Sequence, residues 1–102
     1  MLLAQSFWPS SPAPRSAEIY YHRELLCRSL EGRRVDLLTI SGTNGMLSTR
    51  EAPLGAPGLM PEGGERPHRF RKPVFFLSAR VHPGEVPTSH VFDGALAFLL
   101  RE

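Results

Sequence analysis

Two residues in this chain have types and spacing that could do chemistry: His82 and Glu85, in the run Ser78-Ala79-Arg80-Val81-His82-Pro83-Gly84-Glu85. A neutral imidazole and a carboxylate are both good donors to Zn²⁺. Pro83 restricts the backbone between them, and Gly84 is expected to turn it sharply, bringing Glu85 back toward His82. An HxxE spacing is common, arising by chance about 0.3 times in a chain of this composition, so it needs structural context. The residues alone leave two readings open, a metal-ligand pair and an ordinary strand–turn–helix corner. A second match, His90-x-x-Asp93, lies inside an apolar run, where a partly buried histidine is the expected environment.

The elements on either side supply that context. Residues 73–81 (PVFFLSARV) read as a strand buried on both faces. From Pro87 the pattern becomes helical. Proline is tolerated in a first turn, Thr88 and Ser89 suit a helix start, and Val91 to Leu100 is a good helix former, apolar nearly all round. Glu85 then stands at the positive end of the helix dipole, which favours its ionised, ligating form. Upstream, Val35–Ile40 (VDLLTI) is β-branched and apolar enough for a buried strand, and Glu31-Gly32 suits a tight turn. The block before that turn, Tyr20 to Leu30, fits a short helix or a strand by periodicity alone.

The remaining stretches are punctuation. Residues 1–16 carry Pro9, Pro12 and Pro14 among serines and alanines and read as a flexible lead-in. Residues 42–72, with Pro53, Pro57, Pro61 and Pro67 and several glycines, read as a long surface excursion without regular structure. Gly42-Thr43-Asn44-Gly45 lacks the Lys-Ser/Thr end of a phosphate loop and reads as a turn. Arg66, His68, Arg69, Arg71 and Lys72, with Phe70 interleaved, fit a solvated approach to the next strand better than a nucleic-acid patch. Arg80 fits either substrate contact or structural pairing. Cys27 reads as an inert packed thiol.

Composition sets the outer limits. The chain has 102 residues, 41% hydrophobic and 22% charged, in the ordinary globular range for one small domain. A net charge of +2 is too small to argue for nucleic acid. A single cysteine excludes an internal disulfide and fits a reducing compartment. No apolar run approaches the ~20 residues of a membrane span, and residues 1–8 lack the basic start of a signal peptide.

The runs LCRSLEGRRVDLLTIS (Leu26–Ser41) and RKPVFFLSARVHPGEVPTSHVFDGALAFLLRE (Arg71–Glu102) resemble the M14 zinc carboxypeptidases, most of all the cytosolic carboxypeptidase subfamily. The likeness covers roughly residues 19–41 and 71–102, and SARVHPGE before an apolar helix is its most specific part. It implies an α/β fold, a mixed sheet with flanking helices. Within this chain that means a β-hairpin (24–30 with 35–41), a long Pro/Gly loop, a buried strand, the HPGE corner and an apolar helix. Residues 17–102 would be an incomplete N-terminal portion of the catalytic domain. His82 and Glu85 match the family's first two zinc ligands. His90 stands where the subfamily has an aromatic residue, and Asp93 where it has an amide.

The resemblance further implies a Zn²⁺-dependent carboxypeptidase acting on glutamates of protein tails, tubulin above all, in the cytoplasm, with nuclear or microtubule-associated pools. It implies no nucleic-acid or membrane partner. The family's third ligand, a histidine, its substrate-clamping arginines and asparagine, and its catalytic glutamate have no counterpart in these residues. The expectation is that this chain alone hydrolyses nothing and holds zinc weakly. The alternative is a truncated, non-catalytic interaction fragment or an incomplete gene model.

Overall fold

A computed structural model describes residues 2–5 and 18–101 of the chain. Strands alternate through most of it before a single helix. In chain order these are β1 (Leu2–Gln5), β2 (Ile19–Arg28), β3 (Arg34–Gly42), β4 (Met46–Arg50), β5 (His68–Phe70), β6 (Leu77–Ser78) and α1 (Val86–Leu99).

The hairpin expected from the resemblance is present, with β2 and β3 antiparallel. β2 starts at Ile19, five residues earlier than expected, and ends at Arg28. Leu30, expected on a strand face, sits instead at the turn and is fully exposed. The turn runs over Ser29–Arg33, closed by Ser29 N–H to Arg33 O at 2.8 Å and Gly32 N–H to Ser29 O at 2.9 Å. Gly32 takes φ +78°, the left-handed residue that ends a three-residue hairpin loop. The register slips between Leu25 and Cys27, a bulge on the edge strand. There Leu26 O accepts a hydrogen bond from Met60 N–H at 2.7 Å, so the Pro/Gly loop covers part of that edge.

The larger sheet has the order β2-β3-β1-β6, and β4 pairs with β5 in a second, two-stranded sheet. β1 corrects the reading of residues 1–16 as a lead-in. Its backbone lies antiparallel to β3 and parallel to β6, so it is an interior strand. The prolines at 9–14 outweighed the short apolar start in that reading. Those prolines themselves lie outside the described residues.

Helix α1 packs on one face of this sheet. Phe92, Leu96 and Leu100 close over Leu38, with Ile19, Tyr21, Ile40, Leu77 and Ala79 around them. The opposite face, reached by the two-residue alternation of a strand, carries Leu37, Glu24 and Tyr20. The loop and the β4–β5 pair cover it. Arg66 binds Glu24 at 2.8 Å, both nearly buried, and Tyr20 Oη accepts His68 N–H at 3.0 Å with Phe70 edge-on to its ring. The 42–72 excursion therefore has regular ends, β4 and β5, around an irregular middle. Its basic residues are engaged rather than merely solvated. Arg66 is on Glu24, and Lys72 donates to Ser41 Oγ, Gly42 O and Asn44 Oδ1. That lysine ties down the Gly42–Gly45 turn.

The expected buried strand over 73–81 is the largest departure. Only Leu77 and Ser78 are strand, and Val74, Phe75, Phe76 and Val81 are exposed. A parallel strand is buried when it has neighbours on both edges and a layer on both faces. Among the described residues β6 pairs along one edge, with β1. The segment has the apolar composition of a buried strand, and the described residues do not bury it. Similarly, α1 is apolar nearly all round but buries one stripe, leaving Val86, Val91, Phe98 and Leu99 exposed.

Candidate metal centre

Strand β6 ends at Ser78, and α1 begins at Val86. The seven residues between them bring His82 and Glu85 together. Glu85 N–H donates to His82 O at 3.1 Å, closing a four-residue turn with Pro83 in its second position. The carboxylate folds back over that turn. Its Oε1 lies 2.6 Å from His82 Nδ1, and Oε2 accepts the His82 backbone N–H at 3.4 Å. An ionised carboxylate only accepts, so the short contact is a hydrogen bond in the tautomer that carries its proton on Nδ1. The His82 side chain is 76% exposed and that of Glu85 42%, so both are open to solvent.

Glu85 is also the N-cap residue of α1, as expected from the dipole argument, yet its side chain makes no cap hydrogen bond. Thr88 instead ties the helix start to the strand end. Its Oγ1 donates to Glu85 O at 2.6 Å and accepts Arg80 N–H at 3.2 Å. Pro87 occupies the first turn, where its missing N–H costs nothing.

The expected part played by Gly84 is corrected. Its φ is outside the left-handed region, and a Cβ built on it meets nothing within 4 Å. The unusual backbone is at Arg80, with φ +60°. Arg80 had no assignable role in the sequence; its guanidinium donates to Pro83 O at 2.7 Å and Ser89 Oγ at 3.2 Å. No sequence signal marked it, because nothing in residue type foretells a left-handed arginine. His90 and Asp93 are one helical turn apart on the solvent side of α1, so His90 is exposed rather than partly buried.

The donor set suits zinc chemically, one imidazole nitrogen and one carboxylate. With ordinary zinc–ligand bond lengths, two donors on one tetrahedral ion stand about 3.4 Å apart. An ion taking the place of the shared proton thus requires the 2.6 Å pair to open by less than an ångström. Among the described residues no group of three or more His, Cys, Asp or Glu could hold a metal ion. The groove lined by His68, Phe70, Lys72, Phe75 and Leu99 includes neither His82 nor Glu85. No described helix is long and apolar enough to cross a membrane.

The family model for zinc carboxypeptidases matches residues 19–102. The chain belongs to that family. Among curated proteins it is similar to cytosolic carboxypeptidase-like protein 5 of Bos taurus, 53% identical over 103 aligned residues that cover 97% of this chain and 11% of the relative. The Homo sapiens protein of the same name is 58% identical over 85 residues, 81% of this chain and 9% of the relative. Cytosolic carboxypeptidase 1 of Danio rerio is 43% identical over 86 residues, 81% of this chain and 6% of the relative. The chain thus spans about a tenth of the length of the first two relatives.

Proposed function

We propose that this chain supplies two of the zinc ligands, His82 and Glu85, of a metallocarboxypeptidase that removes glutamate from protein tails, tubulin among them. The observation that carries the reading is the short Nδ1–Oε1 contact between two solvent-open side chains at the end of β6. Family membership supports zinc as the ion, and the names of the relatives support a cytosolic carboxypeptidase. When bound, the ion acidifies a water and polarises the scissile carbonyl. The chain's own part is to aim the His82 nitrogen and the Glu85 carboxylate at one point. A catalytic zinc site takes three protein ligands and keeps one position open, so a third ligand must come from elsewhere in the working enzyme.

The test is a chimera in which this chain replaces the matching segment of the Bos taurus relative. The chimera is expected to release glutamate from a glutamate-ended tail peptide. His82→Ala and Glu85→Gln should each lower that rate by more than about 100-fold, beyond the range seen for residues that merely support ligands. Full activity in either variant overturns the ligand assignment. Release of other C-terminal residues in preference to glutamate overturns the substrate. The 102-residue chain alone is expected to release none.

A second reading, a non-catalytic interaction fragment, is favoured by the exposed apolar side chains of Val74, Phe75, Phe76, Val91 and Phe98. An inactive chimera together with a self-associating chain would support it, and a monodisperse, cooperatively unfolding monomer would count against it.

A further inference from the structure

We propose that Arg80 is the positioning residue of the His82–Glu85 pair, fixing the ligand geometry from outside the turn. The inference rests on the zinc-ligand reading above and says what holds that pair in place. Neither ligand is packed into the core, so beyond their contact with each other their directions are not set by burial. Their geometry follows from the backbone of the turn and from whatever grips it. The Arg80 side chain grips it at Pro83 O, in the middle of the turn, at 2.7 Å. The same guanidinium reaches Ser89 Oγ in the first turn of α1 at 3.2 Å. Its backbone N–H meets Thr88 Oγ1, which in turn donates to Glu85 O. One residue thus links the strand end, the turn and the helix start.

The backbone of Arg80 makes the point independently. A φ of +60° is uncommon for any residue with a Cβ and is held only at a cost in strain. Glycine would adopt it freely. Gly84, four residues on, does not use its own freedom. An arginine therefore occupies the strained position and a glycine an unstrained one. What recommends arginine at position 80 is its planar fork, which spans two acceptors on different elements.

Arg80→Gly separates these effects, since it relieves the backbone and removes the fork. Arg80→Lys keeps the charge and reaches only one acceptor. Two measurements are made on the full 102-residue chain and both variants, with His82→Ala as the zero. The first is zinc binding, followed by titration calorimetry, which reads all four chains alike. The second is the His82 tautomer in the metal-free chain, from two-bond ¹⁵N–¹H correlations. In the parent chain the Nδ1-protonated form should dominate. In Arg80→Gly the two tautomers should average and the zinc Kd should rise about 10-fold or more, the range of residues that orient metal ligands. Arg80→Lys should fall between, and added guanidinium should partly restore Arg80→Gly.

A parent-like tautomer and a parent-like Kd in Arg80→Gly, with far-UV circular dichroism unchanged, overturn the proposal and leave the zinc reading standing. Equal zinc binding by the parent and His82→Ala overturns the zinc reading, while the metal-free tautomer still decides the role of Arg80. If Arg80→Gly does not fold, parent-like behaviour in both measurements for Arg80→Lys overturns the proposal, because one acceptor would then suffice.

Discussion

At the scale of single residues, the corner shows how a motif and its geometry can have different authors. The spacing of His82 and Glu85 was readable because ligand chemistry restricts residue type. The turn that joins them was readable in outline from Pro83. What the sequence hid was the source of the bend, since glycine is the usual choice for an unusual φ and here an arginine has it. This gives a test at Gly84. A Cβ there meets open space and the backbone is one an alanine accepts. Gly84→Ala should leave the structure intact and raise stability by about 0.4–1 kcal/mol through the unfolded chain. Thermal melts of the two proteins check it, and a loss of several degrees would show that the turn does use the freedom of glycine.

At the scale of elements, the hairpin and the helix were the legible parts, each for a local reason. Val35–Ile40 is a β-branched apolar run, and Gly32 sits where a hairpin loop needs a left-handed residue. Pro87 and the residues after it fit a helix start. The Pro/Gly loop was legible only as an absence of regularity. Its attachment depends on pairs distant in sequence, which no local pattern announces. Glu24 and Arg66 form such a pair, 2.8 Å apart and 7% and 11% exposed. Arg66 Nη1 also donates to Ala52 O, and Arg50 Nη1 to Arg66 O, so the arginine gathers both arms of the loop. Removing one partner leaves a buried charge uncompensated, which costs about 3–5 kcal/mol. Arg66→Ala should therefore lower the urea midpoint sharply and speed proteolysis within 51–67. The Arg28–Glu62 pair is an internal control. It is solvent-exposed, so Arg28→Ala should change the unfolding free energy by less than about 1 kcal/mol and barely move the midpoint.

At the scale of the whole molecule, apolar side chains are distributed unevenly between core and surface. The core under α1 is small, with Leu38, Phe92, Leu96 and Leu100 at its centre, while Val74, Phe75, Phe76 and Phe98 face outward. Composition could not reveal this, because it counts apolar residues without saying which have partners. The exposed group predicts self-association of the 102-residue chain. Replacing Phe75 and Phe76 together by lysine should shift light scattering toward monomer and leave the far-UV spectrum unchanged. Unchanged association would place the sticky surface elsewhere. The same exposure explains why 73–81 was read as a fully formed strand: its residues suit one, but among the described residues β6 is paired along a single edge.

The position of β1 bears on the order of events when the chain is made. Among the described residues β6, which leads into the His82–Glu85 corner, pairs with β1 alone, with Leu2 opposite Leu77 and Leu3 opposite Ser78. These partners are far apart in sequence. Contacts of such long separation carry a large loop-closure cost and form late. The β2–β3 hairpin, closed by a short turn, can form as soon as it leaves the ribosome. β1 cannot receive β6 until the hairpin and the Pro/Gly loop between them have been made, so the corner takes its shape after the hairpin.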